Sequence, residues 1–195
     1  MKTLSIVTCI MALSGSMMAQ GDLPYREIPA CPEKFTAGNV AARVVDGLGF
    51  RYYWATEGLR PEDLTFQANK DGRTTLETVT HIYELSLTIV NATRKVANVR
   101  AMTKEQLTFE QMRKRTLENI QGASEILKKS SDDDLNNYKV IFSNDKSTQE
   151  FPFWNQLNGP IADALWHTGQ VVSYRRGSGN PFNEKASVFS GKVRP

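Results

Sequence analysis

Two helix-start signals in the middle of the chain constrain its fold most strongly. In "TTLE", Thr74 stands three residues before Glu77, and in "TFEQ", Thr108 stands three residues before Gln111. This spacing is typical of a capping box, in which the two residues satisfy backbone N–H groups at the start of a helix. Apolar residues recur at helical intervals after each signal. We therefore predict one helix from Thr74 to about Ala92 and another that begins at Thr108.

Two further segments have the same character. The segment Ala37–Glu57 carries apolar residues at helical spacing and is followed by Gly58, a residue typical of helix C-caps. The segment from Phe153 to Arg176 is predicted to be a fourth helix, bent near Pro160 and ended by the glycines and proline of "RRGSGNP". Four helices of similar length predict an all-α fold, a four-helix bundle.

The remaining segments are shorter. "YKVIFSNDKSTQEF" alternates in polarity around an Asn-Asp turn, which predicts a small β-hairpin between helices three and four. "SSDDDLNN" is predicted to end the third helix. The tail "FNEKASVFSGKVRP" is expected to be irregular, with Phe182 and Phe189 anchoring it to the bundle.

The N-terminus has the order of a secretory signal. Lys2 precedes the apolar run "LSIVTCIMALSG", and small residues follow near Ala19. An ordinary N-terminal helix is the alternative, whereas a retained anchor is disfavoured because the run is shorter than the ~20 apolar residues needed to span a bilayer. We expect residues 1–19 to be a cleaved signal, 20–36 an extended leader, and 37–195 the bundle and its tail. The mature protein is then periplasmic or extracellular, without a stable membrane anchor.

Composition excludes several kinds of partner and site. The formal net charge of +3 is scattered and no long Lys/Arg run occurs, so a nucleic-acid partner is not expected. Of the two cysteines, Cys9 leaves with the predicted signal and Cys31 then stands alone. The mature chain is therefore predicted to have neither an internal disulfide nor a Cys-based zinc site.

A polar stripe on the fourth helix is the main candidate site. At 100° per residue, Asp163, His167, Gln170 and Tyr174 fall on one side of the helix. Between Ile161 and Tyr174 the only formally charged residue is Asp163, whereas a solvated stripe usually carries Lys and Glu. The helix is therefore expected to be enclosed, and an enclosed carboxylate needs a partner such as a bound cation. The alternative is a polar helix face in water.

The chain has two histidines, His81 and His167, and both lie within predicted helices. His81 is turned away from the apolar stripe of its own helix, which fits either a surface imidazole or a metal ligand in a polar pocket. Spacing alone gives little support to a metal site, because an Asp and a His four residues apart with a remote His are less specific than an H-E-x-x-H motif.

The last helix resembles that of a known family. The stretch "PFWNQLNGPIADALWHTGQVVSYRRGSGNP" is similar to the final helix of the DinB/YfiT-like proteins, small four-helix bundles with a proposed metal site. In that family a Trp near the helix start is followed by H-x-x-x-H-[RX]-G-Q, and a separate His comes from the second helix. The matching residues here are Trp154, His167, Gly169, Gln170 and, on the second helix, His81. The chain departs from the motif at Asp163, which replaces the first His, and at Thr168, where Arg is common.

The resemblance implies a divalent metal held by His81, Asp163 and His167. A carboxylate oxygen binds such cations at about the ~2.0–2.2 Å typical of imidazole nitrogen, so the Asp keeps three ligands and leaves positions open. Zn, Ni, Mn and Fe are the candidate metals. Gln170 is interpreted either as a partner that orients a ligand or as a helix-packing residue. Tyr174 is interpreted either as lining the pocket or as a core residue.

Three functions fit this sequence. The first is an exported metal-dependent enzyme, of transferase or hydrolase type, acting on a small-molecule substrate. The second is a non-catalytic bundle that binds a metal or small ligand, and the third is a structural module that has lost its metal through Asp163. Family members include thiol-dependent transferases, isomerases and proposed hydrolases, so the resemblance implies a site and not one reaction. A homodimer is also kept open.

Overall fold

The computed structural model describes residues 23–99 and 105–195, so the predicted signal sequence 1–19 lies outside the described residues. Its elements are α1 Ala37–Thr56, α2 Pro61–Thr65, α3 Thr75–Arg94, β1 Asn98–Val99, α4 Phe109–Leu127, α5 Asp132–Asn137, β2 Lys139–Asn144, β3 Ser147–Pro152, α6 Phe153–Gln156, α7 Ala162–Gly177, β4 Ala186–Ser187 and β5 Lys192–Val193. A π turn over Leu157–Ile161 joins α6 to α7. The described chain is mainly helical, with small sheets. None of its described helices has the length and apolar character needed to cross a bilayer.

The predicted helix starts are confirmed. The hydroxyl of Thr74 accepts from the backbone N–H of Glu77, and the hydroxyl of Thr108 accepts from that of Gln111, with both reciprocal bonds present. The first helix ends one residue before the predicted end, and Gly58 follows with a φ of +66°, a conformation that glycine adopts without steric cost. Local capping chemistry therefore sets these boundaries.

The four long helices pack around one apolar core, with α1 and α3 each contacting both α4 and α7. Lys128 lies 2.8 Å from Asp46, and Arg113 donates to the Thr56 hydroxyl at 3.0 Å, so α1 and α4 run antiparallel. The largest fully buried apolar side chains include Phe50, Leu48, Ile82, Ile89, Leu117, Ile120, Leu127 and Ile161. Each contributes roughly 1.5–3 kcal/mol of transfer free energy relative to exposure.

The bend predicted near Pro160 takes the form of the π turn. Pro160 has no N–H to donate, and Gly159 has non-helical angles of φ −98° and ψ −105°. The amide of Gln156, just before the turn, donates to the backbone oxygen of Ile89 at 2.8 Å. This bond holds α6 against α3 and fixes where α7 begins.

The predicted β-hairpin is confirmed as β2 and β3, paired from Lys139 opposite Pro152 to Asn144 opposite Ser147. Strand β1 adds a parallel partner to β2. Strand β1 has no recognisable sequence pattern, because two residues are too few for a periodic one.

One prediction for the chain outside the long helices is incomplete and one is wrong: the third helix does end before "SSDDDLNN", at Leu127, but that segment has a helix of its own. "SSDDDLNN" contains α5, because Ser131 and Asp134 form a further capping box and acidic residues fill its first turn. The tail is not wholly irregular, since β4 and β5 pair in it. Phe182 packs against a small cluster around Phe50, which confirms one anchor, whereas Phe189 is fully exposed and anchors nothing.

Part of the predicted leader packs on the helices. The Tyr25 ring lies against Gly49, where an added Cβ would approach a ring carbon to 2.5 Å, so only glycine leaves room. The Tyr25 hydroxyl donates to Asp46 Oδ1 at 2.9 Å. Burial, followed by the Asp46 charge, raises the pKa of Tyr25 far above its usual range. The leader is thus tied to α1 at this residue.

A buried carboxylate joins α2 to the end of α7. Asp63 is fully buried, and its oxygens accept from the Arg60 backbone and guanidinium, from the Ser178 hydroxyl at 2.6 Å and from the Asn180 amide at 2.7 Å. The Arg60 hydrogen bonds hold the pKa of Asp63 well below its usual range, against the opposing effect of burial. Ser178 and Asn180 act in the same direction as Arg60.

A buried arginine extends this cluster to α1. Arg175 Nη1 donates to the backbone oxygens of Trp54 at 2.9 Å and Ala55 at 3.1 Å, and its Nε donates to the backbone oxygen of Asn180 at 2.7 Å. Burial lowers the pKa of Arg175 from its usual value. "RRGSGNP" therefore does more than stop a helix, because its side chains connect the ends of α1, α2 and α7.

Candidate metal centre

Helices α3 and α7 bring three predicted site residues together, although His81 and Asp163 are 82 positions apart. His81 Nε2 lies 3.2 Å from Asp163 Oδ2, and His167 Nε2 lies 3.3 Å from Asp163 Oδ1. One ligand atom from each residue can be chosen so that all three lie within 4.8 Å of one another. The predicted proximity of His81 to the Asp163 and His167 pair is confirmed.

Helix geometry accounts for this cluster. Asp163 and His167 are four residues apart on α7, so their side chains neighbour each other on one face. His81 lies in the second turn of α3 and reaches the same face across the helix–helix contact, with its ring centroid 4.7 Å from that of His167. Neighbours on one helix and a close contact from another are therefore enough to build the cluster.

The cluster is more open than the sequence suggests. The Asp163 side chain is 42% exposed, whereas those of His81 and His167 are 27% and 13% exposed. The prediction of an enclosed fourth helix is therefore only partly correct. Its error has a physical cause: α7 carries few charges, but small residues and Trp166 occupy its outer side instead of Lys and Glu. The carboxylate side of the cluster faces water, so a small molecule can approach from there.

Gln170 orients one of the imidazoles. Its Oε1 lies 2.7 Å from His167 Nδ1, a distance at which the amide oxygen accepts the Nδ1–H. That bond leaves His167 Nε2, the nitrogen facing Asp163, to carry either a proton or a coordinated cation. Gln170 therefore holds the ring of His167 in one orientation through this contact.

The donor set fits a divalent cation. Two imidazole nitrogens and a carboxylate are ligands that Zn²⁺ and similar metals accept. Donors that bind one such ion at ~2.0–2.2 Å and at angles between square and tetrahedral lie about 3–3.5 Å apart. The distances of 3.2 Å and 3.3 Å fall in this range but run to different oxygens of Asp163, and with one atom from each residue the three ligand atoms lie within 4.8 Å of one another. The same contacts also suit a protonated imidazole paired with the carboxylate, so the geometry permits a metal without demanding one.

Other residues of the stretch that resembles the family lie outside the cluster of His81, Asp163 and His167. Gly169 has no neighbour within 4 Å of an added Cβ, so this glycine does not mark a close approach of another helix. Thr168 is buried and donates to the backbone oxygen of Ala164 at 2.7 Å, which makes it a packing residue. The ring of Tyr174 packs beside Phe66, with centroids 6.0 Å apart. That contact lies at the α2 side of α7, one turn beyond Gln170.

Trp166 lies next to the cluster but is not part of the predicted polar stripe. It lies three residues after Asp163 and four before Gln170, so it neighbours both on the surface of α7. Trp166 is 73% exposed to solvent. The same spacing of 100° per residue that groups Asp163 with His167 places Trp166 beside the polar stripe, on the solvent side, so the sequence contains a signal for it.

Comparison with known proteins adds no family assignment. No protein-family model matches this chain, and no significant match was found among curated proteins or among solved structures. The case for a function therefore rests on the residues of this chain and on their geometry.

Proposed function

We propose that His81, Asp163 and His167 bind a divalent metal and that the protein is an exported, DinB/YfiT-like metal-dependent enzyme acting on a small molecule. The observation that carries the proposal is the convergence of three metal-ligating side chains from α3 and α7 within 4.8 Å. The packing of four long helices supports the four-helix bundle of that family. Zn, Ni, Mn and Fe are the metals proposed.

The chain's own residues divide the work of such a site. His81 and His167 would each give an Nε2 lone pair, and Asp163 would give a charged oxygen. Gln170 keeps the His167 ring in one tautomer through Nδ1, and the exposed side of Asp163 leaves a substrate room to approach. A bound divalent metal would supply Lewis-acid chemistry, which polarises a carbonyl or phosphoryl oxygen or makes a water or thiol more acidic. A transferase or hydrolase would use this chemistry.

The second candidate function is a bundle that binds a metal or small ligand without turnover. The exposure of Asp163 to water supports this binding function as well, because a ligand can reach the site and binding needs no additional catalytic groups. Elemental analysis of the purified protein, followed by turnover assays of the metal-loaded sample, distinguishes the two. Stoichiometric metal with hydrolase or thiol-transferase turnover supports the enzyme, and metal without turnover of any such substrate supports the binding protein. A sample that neither contains nor binds a metal refutes the metal-dependent enzyme and the metal-binding form of the second function.

Gln170 provides a quantitative test of the proposed site. Replacing Gln170 with Leu removes the acceptor for His167 Nδ1–H, which should weaken metal binding by roughly 10–100-fold, as is usual for partners that orient ligands. Calorimetric titration with Zn²⁺ gives the dissociation constants of wild type and variant. The control is Ser173→Ala, an exposed position on the same helix. Equal affinity in wild type and Gln170→Leu would show that this hydrogen bond does not orient a metal ligand.

Export is proposed from the N-terminal pattern alone. We expect the mature chain to begin near Gln20 or Gly21, because the apolar run ends at small residues near Ala19. N-terminal sequencing of protein recovered from the cell envelope or medium tests this. An intact Met1 in that fraction would contradict cleavage.

A further inference from the structure

A second cavity lies away from the metal-ligand cluster, between the first half of α1, α5 and α6. Its volume is about 470 Å³. Its apolar wall includes Val40 and Val44 of α1, Leu135 of α5 and Trp154 of α6. Small-molecule sites commonly have volumes of about 300–1,000 Å³ and mainly apolar linings. The size and chemistry of this cavity therefore suit a small ligand.

The apolar wall is open to water. Trp154 is 75% exposed and Val40 is 51% exposed, whereas Trp54, elsewhere on α1, is 6% exposed. Exposed apolar surface raises the free energy of the protein in water, and a bound apolar group removes that surface from water. Trp154 also offers a flat aromatic face, which gives a ligand a large contact area.

The polar groups of the cavity select the charge of the ligand. Asp132 is the one formally charged residue among those that line it, and Asn136 presents an amide one turn later on α5. A lone carboxylate beside an apolar wall attracts a cationic head group and repels an anionic one. The cavity thus combines an apolar wall with an acidic edge.

We propose that this cavity binds a small amphipathic cation, whose alkyl chain or ring packs on Trp154 and whose ammonium group lies beside Asp132. The site is separate from the proposed metal centre, because His81, Asp163 and His167 are not among its lining residues. Its occupancy does not depend on a metal.

Three probes with the same chain test the charge preference. Octylammonium, 1-octanol and octanoate, each titrated below its micelle concentration at pH 7 with calorimetry, should bind in that order of decreasing affinity. Asp132→Asn should weaken octylammonium about two- to fivefold, as for an exposed ion pair, and leave 1-octanol unchanged. Octanoate binding as tightly as octylammonium, or no saturable binding of any probe, would overturn the proposal.

The two exposed tryptophans supply a matched pair of variants. Trp154→Ala should weaken octylammonium roughly tenfold, as for an aromatic residue central to a contact, and Trp166→Ala should leave it unchanged. Both residues are about three-quarters exposed, at 75% and 73%, so neither change should unfold the protein, and thermal melts check this. Equal losses in both variants would overturn the proposal. So would a concentration-dependent dimer that Trp154→Ala dissociates, because a second copy would then cover the cavity.

Discussion

Replacing Asp63 with Ala is expected to lower the free energy of unfolding by about 1.5–3 kcal/mol, the range for hydrogen bonds to a charged group, because Asp63 is fully buried whereas its ion-pair partner Arg60 is half exposed. The change leaves the Arg60 guanidinium, the Ser178 hydroxyl and the Asn180 amide without their shared acceptor. Urea unfolding followed by far-UV circular dichroism gives the free energy. Glu62→Ala is the matched control, since it removes a neighbouring carboxylate that pairs with Arg60 only at the surface, and it should change stability by less than about 1 kcal/mol.

The Asp63 contribution should also depend on pH. Its pKa is lowered on folding, so the stabilisation is fully present above the unfolded value of about 4 and is lost as pH falls towards the folded value. The difference in stability between wild type and Asp63→Ala should therefore shrink steadily below pH 4. If the variant does not fold, Asp63→Asn serves for the same comparison. A difference that stays constant as the pH falls below 4 would mean that the Asp63 charge is not what stabilises the cluster.

The second large effect concerns the metal. If His81, Asp163 and His167 hold a cation, saturation should stabilise the folded state by RT ln(1 + [L]/Kd), about 2.7 kcal/mol at a hundredfold excess over Kd. Wild type should therefore melt at a higher temperature with added Zn²⁺, Mn²⁺ or Ni²⁺ than with chelator. His167→Ala should abolish that increment, because it removes the least exposed of the three ligands. Thermal melts of both proteins, with and without metal, measure the effect.

Two further variants sharpen that experiment. Asp163→His should retain the metal-dependent increment, since it restores the pattern commoner in the DinB/YfiT-like family on the same helix face. Lys129→Ala should keep it too, because Lys129 is exposed. Lys128 is unsuitable as a control, because it pairs with the buried carboxylate of Asp46. Identical metal-dependent shifts in wild type and His167→Ala would mean that the three residues are only a polar face.

The long helices were predictable because their signals are local. The Thr74 and Thr108 capping boxes and the Gly58 stop depend on residues a few positions apart, and the structure places the boundaries within about two residues of the predictions. The signals of α5 are equally local, but the polar segment "SSDDDLNN" suits the end of one helix as well as the start of another. Strand β1 exists only through pairing with β2, a long-range contact that no local pattern contains.

The candidate site was predictable in its members but not in its surroundings. The helical spacing of 100° per residue puts Asp163, His167 and Gln170 on one face of the helix. The resemblance to the DinB/YfiT-like family links His81 to them, 82 residues before Asp163. The exposure of Asp163 could not be predicted, since it depends on what packs over α7 and not on α7 itself. Nor could the buried cluster around Asp63, because its partners Ser178 and Asn180 come from a segment more than 100 residues away along the chain.

The π turn at Leu157–Ile161 lies between Trp154, which lines the apolar cavity, and Asp163 and His167 of the ligand cluster. A change of chain length at this turn therefore acts on the cavity and the cluster differently. Gly159 leaves helical geometry within this turn, so the orientation of α6 relative to α7 depends on the local backbone angles, and deleting one residue there would change it. Arg175 holds α7 at its far end and Gln156 holds α6 against α3, so the two helices are anchored separately on either side of the turn. A residue inserted or deleted at this turn is therefore expected to shift the apolar cavity and the ligand cluster relative to each other.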